Sequence, residues 1–326
     1  MHTIITKRLL ASTPEDIQEA GELLKAGKLV AVPTETVYGL AADARQPEAV
    51  NKIFAAKNRP TNHPLIVHMP GADRLNQWAK NIPEKAFQLA EAFWPGPLTL
   101  LLDKADHVSS VITGGLDTIG LRVPNQPVLL KLLREFDLAV AAPSANPYQK
   151  LSPTTAEHVL AGLDGKIAAV LDAGPCGVGT ESTIVRINDK NAEILRSGPI
   201  SADQIQTHLS IPVVTPEHHT QAVSGNKAVH YCPNAKVKVK TFEQIKDGNK
   251  NALIKIAALV FTGDISPEGI ETISKLSSNH INYRHDFYAV LHELDNQNVD
   301  EIWVEAPPLS DDWNDIVDRL NRAAEK

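Results

Sequence analysis

Lys57-Asn58-Arg59-Pro60-Thr61-Asn62-His63-Pro64 places two cations two residues apart at the start of a loop framed by prolines. A stiff loop presenting two cations suits an oligophosphate, because charge-assisted hydrogen bonds to phosphate oxygens are strong and a guanidinium makes them in pairs. A lysine there also reads as a plain surface charge at a helix C-terminus, which the macrodipole favours. Thr118-Ile-Gly-Leu-Arg122-Val-Pro124 reads as a strand whose alternation sets Thr118, Gly120 and Arg122 on one face. An arginine within so apolar a strand is costly unless paired. A carboxylate ligand, or an internal acid such as Glu35, would satisfy it. His68 stands near the end of the strand-like Pro64–Met69, with a satisfied core histidine as the competing reading.

Two further regions concentrate small and hydroxylated residues. Pro33-Thr34-Glu35-Thr36-Val37-Tyr38-Gly39-Leu40 crowds hydroxyls, a carboxylate and a phenol into a strand exit, where a capped turn is the plain alternative. Ala141-Ala142-Pro143-Ser144-Ala145-Asn146, then Ser152, Gly179–Thr183 and Arg196-Ser-Gly198, let backbone N–H groups approach a ligand. Ser144 has no neighbouring base in sequence, so nothing marks it as a nucleophile. Other signatures fail. Gly21–Lys28 is one residue too long for a phosphate loop and lies in an amphipathic helix. Gly174–Gly179 runs into a strand rather than the helix that a dinucleotide fingerprint requires. Neither a nucleophile elbow nor a His-Glu-x-x-His is present, and His218-His219 reads as a solvated loop.

The elements that must position these residues form an α/β pattern. Ser12–Glu15 has capping-box form ahead of a helix that exits at Gly27. A second helix follows Pro47 and stops near Asn58–Pro60. Strands are expected at 29–32, 64–69, 98–102, 118–123, 138–142, 167–171, 183–187 and 193–195, and helices at 83–93, 127–136, 154–163 and 201–209. Interleaving of this kind implies a twisted sheet covered by helices, with ligands at strand ends. Both periodicities fail over 211–233, which reads as an interdomain linker. Beyond it, strands at 252–261 and 302–305 and helices at 267–276 and 313–324 suggest a small second α/β domain.

At 326 residues the chain has room for about two domains. Residues 234–326 carry a net charge of −5 and residues 1–233 a net −2. Broad nucleic-acid binding needs a basic surface that displaces counterions, so a general RNA-binding module is disfavoured. There is no run of eighteen apolar residues, and the charged N-terminus lacks a secretory core, so a cytoplasmic protein without a membrane span is expected. Cys176 and Cys232 are too far apart for a cysteine pair motif.

Lys57-x-Arg59-Pro60, Pro33–Leu40, Gly120-Leu-Arg122-Val-Pro124 and Pro143-Ser-Ala-Asn146, together with Ser224-Gly225 and His230-Tyr231-Cys232-Pro233, resemble the YrdC-like threonylcarbamoyl-AMP synthases in their long, two-domain form. The family usually has Asn where this chain has His63, and Pro where it has Ser224. The resemblance implies a twisted open YrdC-like catalytic domain over 1–210, a linker or lid over 211–233, and a smaller Rossmann-like α/β domain over 234–326. It implies that L-threonine, bicarbonate and ATP, with Mg²⁺, give threonylcarbamoyl-AMP and pyrophosphate. Downstream threonylcarbamoyl-transfer proteins would use the product to modify tRNA, and direct contact with tRNA is left open. By motif position, Thr36, His68, Arg122, Ala142 and Ser182 would bind threonine. Arg59, His63, Thr118, Ser144, Ser152, Arg196, His230 and Tyr231 would contact ATP, and Lys57 and Arg59 would serve catalysis through charge near the phosphates. A related carbamoyl-adenylating enzyme is the alternative, although such proteins carry zinc-finger-like cysteine pairs that this chain lacks.

Overall fold

The computed structural model describes residues 5–188, 190–216, 223–225, 229–249 and 253–325. The chain divides into two compact units. The first takes Met1–Tyr148, Pro153–Gly177 and Glu181–Asn226; the second takes Gln149–Ser152, Val178–Thr180 and Lys227–Lys326. Two short stretches that the sequence reading gives to the front domain, 149–152 and 178–180, thus belong to the second unit.

In the first unit the strands are β1 Lys7–Leu10, β2 Val30–Val32, β3 Gly39–Asp43, β4 Ile66–His68, β5 Leu98–Asp103, β6 Thr118–Arg122, β7 Val140–Ala141, β8 Ala169–Asp172, β9 Thr183–Ile187, β10 Ala192–Arg196 and β11 Val213–Val214. The α-helices are α1 Pro14–Lys25, α2 Pro47–Lys57, α3 Glu84–Phe93, α4 Ser110–Thr113, α5 Pro127–Glu135, α6 Ala156–Leu163 and α7 Ala202–Gln206. The strands form one mixed sheet in the order β1-β8-β2-β3-β7-β4-β6-β5-β9-β10-β11.

Strand alternation explains how both faces are covered. On β2, Val30 and Val32 face a core built with Ile17 and Leu24 of α1 and Leu129, Leu132 and Leu133 of α5. Ala31, between them, faces the opposite core with Ile53 and Phe54 of α2, Leu89 of α3 and Val159 of α6. Leu24, Leu129, Leu132 and Leu133 are fully buried, and each contributes roughly 1.5–3 kcal/mol relative to exposure. Helix α1 starts at Pro14 as its sequence suggests, but Thr13 makes no side-chain cap bond, so the expected capping box is not formed. Helix α2 ends at Lys57, and Asn58 then turns left-handed at φ 53°. That turn aims the Lys57–Arg59 segment away from the helix axis.

The 211–233 stretch is not uniformly irregular: Val213–Val214 pairs in parallel with β10 at the sheet edge. Residues 217–222 and 226–228 lie outside the described residues, so the His218-His219 pair and nine residues of the expected 211–233 lid are not described.

The second unit is a four-stranded parallel sheet with β12 Lys236–Lys240, β13 Ile256–Val260, β14 Thr272–Lys275 and β15 Glu301–Glu305 in the order β12-β15-β13-β14. Its α-helices are α8 Phe242–Lys246, α9 His280–Asp295 and α10 Asn314–Ala324. The helix expected over 267–276 is absent. Pro267 and Gly269, the latter at φ +75°, lead into β14, whose Ala257↔Thr272 to Val260↔Lys275 pairing with β13 overrides local propensity. Among the described residues no helix is long and apolar enough to cross a membrane.

Candidate active site

The first unit gathers its unusual buried polar groups at the ends of β2, β4, β6 and β9. After β2, Thr34 organises a tight turn: its Oγ1 accepts from Thr36 N and Val37 N at 3.1 and 3.2 Å, and donates to Val37 O at 2.6 Å. The turn fixes Glu35 and Thr36 with their side chains buried. The loop after β7 zips against β3, with Leu40 N donating to Pro143 O at 2.6 Å and Ala145 N to Tyr38 O at 2.8 Å. The Pro33–Leu40 and Ala142–Asn146 motifs are therefore adjacent.

Arg122, at the end of β6, is 3% exposed. Its Nε donates to Gly96 O at 3.1 Å and its Nη1 to Thr36 Oγ1 at 3.0 Å. Its Nη2 lies 2.7 Å from Glu35 Oε1 as a buried ion pair. The internal acid anticipated from the strand pattern is thus the partner. Parallel pairing sets His68 of β4 beside Arg122. Burial first, and then the Arg122 charge, depress the His68 pKa to about 3, so the ring is neutral. Its Nδ1 has no hydrogen-bond partner.

Ser182 is held from two sides. Thr99, the one hydroxyl in the apolar strand β5, places its Oγ1 2.8 Å from Ser182 Oγ. Arg196 donates from Nε and Nη2 to Ser182 O at 3.0 and 2.8 Å, from Nη2 to Ser182 Oγ at 3.0 Å, and from Nη1 to Ser224 O at 2.9 Å. A Cβ on Gly198 would sit 2.3 Å from Thr183 N and 2.7 Å from Ser182 C. Only glycine lets these two backbones approach so closely.

Lys57 departs from the expectation of a cation facing phosphate. It is 1% exposed, and its Nζ donates to the carbonyls of Ser144 and Asn146. Burial, and then Arg59, push its pKa well below the ordinary lysine value. Lys57 is therefore a clamp on the Ser144 loop, because a buried amine takes the nearest acceptors. Arg59 donates from Nη2 to Pro64 O at 3.0 Å. His63 packs on Tyr148 with ring centroids 5.4 Å apart. Thr118 opens β6 half-buried, and Ser144 is half-buried in its loop. A shallow hollow in the same unit is lined by Pro64, Leu65, Ile66, Thr99, Leu101, Gly120, Ile184, Val223 and Ser224. Gly120 keeps its floor open: a Cβ there would lie 3.3 Å from both Ile66 and Thr99.

The first unit thus brings together Thr36, His68, Arg122, Ala142 and Ser182, with Lys57, Arg59, His63, Thr118, Ser144 and Arg196 on the neighbouring loops and strands. Arg59, Arg122 and Arg196 are all buried. Ser152, His230 and Tyr231 belong to the second unit. There, His292 Nε2 is 3.1 Å from Ser152 O, and Tyr231 packs on His230 and Tyr288 with the Arg319 guanidinium over its ring. Sequence reading missed Thr99; its lone hydroxyl among four leucines was the available signal.

Comparisons with known proteins identify the family. Residues 22–198 match the family described as "Sua5_yciO_yrdC: Telomere recombination", and residues 200–325 match "Threonylcarbamoyl-AMP synthase, C-terminal domain". The chain is 44% identical to the threonylcarbamoyl-AMP synthase of Bacillus subtilis, over 71% of this chain and 68% of that one. It is 36% identical to the threonylcarbamoyl-AMP synthase of Schizosaccharomyces pombe, over 90% and 84% respectively. The crystal structure of P. abyssi Sua5 complexed with L-threonine superposes with a TM-score of 0.89 at 34% identity, covering 98% of this chain and 97% of that one. The chain therefore belongs to the Sua5–YciO–YrdC family, in the two-domain form that carries the threonylcarbamoyl-AMP synthase C-terminal domain.

Proposed function

We propose that the chain is a threonylcarbamoyl-AMP synthase, a nucleotidyltransferase that joins L-threonine, bicarbonate and ATP into threonylcarbamoyl-AMP with release of pyrophosphate. The observation that carries this reading is the buried grouping of Arg122, Thr36, neutral His68 and Ser182 at adjacent strand ends. Arg122 has five N–H donors and three named partners, which leaves two for an amino-acid carboxylate. The bare Nδ1 of His68 and the Ser182 hydroxyl suit the hydroxyl and polar groups of threonine. Arg59, His63, Thr118 and the Ser144 loop held by Lys57 flank this pocket and form the ATP side.

The reaction needs no protein nucleophile. The neutral threonine amine bonds to the bicarbonate carbon with loss of water, and an oxygen of the resulting carbamate attacks the α-phosphate and displaces pyrophosphate. Both reactants are anions, so the protein contributes alignment and fixed positive charge. Magnesium is read as part of the MgATP substrate: among the described residues no three His, Cys, Asp or Glu side chains gather where they could hold a metal ion. In this reading the product passes to cytoplasmic threonylcarbamoyl-transfer proteins that modify tRNA. The test is mass detection of threonylcarbamoyl-AMP after mixing the protein with MgATP, bicarbonate and threonine, omitting each in turn. Product that persists without threonine or bicarbonate defeats the proposal.

A further inference from the structure

Glu35 is a buried charged group of the first unit with an oxygen that meets no donor. It is 9% exposed, and neither carboxylate oxygen accepts a hydrogen bond. Oε1 has only the ion-pair contact with Arg122 Nη2 at 2.7 Å, and Oε2 has nothing. Native structures rarely leave a buried carboxylate oxygen without a donor, so the orphan itself points to a ligand that brings one. Arg122, the other half of the pair, has its Nε and Nη1 tied to Gly96 O and Thr36 Oγ1, which fixes its guanidinium plane; with Nη2 against Glu35, two of its five N–H groups are left. A carboxylate with one oxygen, Oε2, lacking a donor is thus held against a guanidinium that has two N–H groups to spare. The group that fills both at once carries an ammonium and a carboxylate on neighbouring atoms, which is the head of an α-amino acid.

We infer that Glu35 receives the α-ammonium of the amino-acid substrate while Arg122 takes its carboxylate, so that this pocket selects α-amino acids against their α-hydroxy counterparts. The inference rests on the amino-acid substrate proposed above and adds the residue that reads the amine. A hydroxyl donates to Glu35 without charge, whereas an ammonium donates with it. In a site screened from water the charged bond is the stronger by a wide margin.

Calorimetric titration of the full chain with L-threonine, and with the 2,3-dihydroxybutanoate that replaces its ammonium by a hydroxyl, tests this. Wild type is expected to prefer threonine by about ten- to a hundredfold. In Glu35→Gln that preference should collapse to about twofold through loss of threonine affinity, with the hydroxy acid changed by no more than the same factor. Glu35→Asp, which keeps the charge, should retain a preference for threonine. If Glu35→Gln weakens both acids equally, Glu35 merely positions Arg122 and the inference falls. If Glu35→Gln does not fold, as read by thermal unfolding, the wild-type comparison decides: equal binding of the two acids overturns the inference. Detection of threonylcarbamoyl-AMP from the same wild-type preparation separates the two levels. Product formed without discrimination removes the role of Glu35 alone, while no product and no threonine binding remove the proposed function and this inference with it.

Discussion

Replacing Arg122 with methionine removes the positive half of a pair in which both side chains are at least nine-tenths buried. Breaking a buried pair by deleting one partner costs about 3–5 kcal/mol, because the remaining charge has no compensation. Loss of the donors to Gly96 O and Thr36 Oγ1 adds roughly 0.5–1.5 kcal/mol for each bond. Glu35→Gln should cost less, about 3 kcal/mol, because the guanidinium keeps those two partners. The double variant strands no charge and should be far more stable than the sum of the single effects implies. Urea unfolding of the four proteins at pH 7 therefore has an expected coupling of about 2–3 kcal/mol. If the two substitutions add to within about 0.5 kcal/mol, the pair is not energetically linked and the reasoning about the pocket's charge fails. Threonine binding supplies a second readout: the double variant should fold and yet bind no threonine, because repairing the core does not restore the carboxylate fork.

For Arg59→Ala we expect nucleotide affinity to fall by about ten- to a hundredfold, the worth of a charge-assisted contact, and unchanged affinity by calorimetry would remove Arg59 from the ATP side. Lys57→Met should reduce ATP affinity over a similar range by freeing the Ser144 and Asn146 carbonyls, a change visible as faster hydrogen exchange in that loop; unaltered exchange would refute the clamp. Gly198→Ala should destabilise the protein by about 1–3 kcal/mol and weaken threonine binding, since the backbone at Ser182 must move; a wild-type melting curve would show that the close approach relaxes freely. His68 has a folded pKa of about 3 against an ordinary 6.5, so the unfolded chain binds the extra proton between those values. Its contribution is intact above pH 6.5 and is lost as pH falls toward 3, at no more than about 1.4 kcal/mol per pH unit. Urea midpoints of wild type should thus fall faster than those of His68→Asn between pH 7 and 4, and parallel slopes would refute the neutral buried ring.

The parts of the fold that were legible in the sequence are those written in local pattern. β9 and β10 follow from apolar runs, and α2 ends where Asn58 and Pro60 forbid continuation. β3 was missed because Gly-Leu-Ala-Ala-Asp has no β-branched residue; its strand character comes from pairing with β2 and β7, which is a tertiary effect. Helix α9 was also missed, although Tyr283, Phe287, Leu291 and Leu294 recur at helical spacing and Asn279 caps its start. Aromatic residues at those positions obscure the period that leucines make plain. In the site, the Arg122–Glu35 pairing was readable from the cost of a lone buried cation. The burial of Lys57 was not, because it depends on where the Ser144 loop arrives from elsewhere in the chain.

Arg196 has a consequence beyond its contacts. One guanidinium grips both the carbonyl of Ser182, just ahead of β9, and that of Ser224, 42 residues further along the chain. A displacement of the backbone at Ser224 is therefore passed, through a single planar and inflexible group, to the Ser182 hydroxyl. A lysine at this position would reach one carbonyl or the other, and the two ends would become mechanically independent.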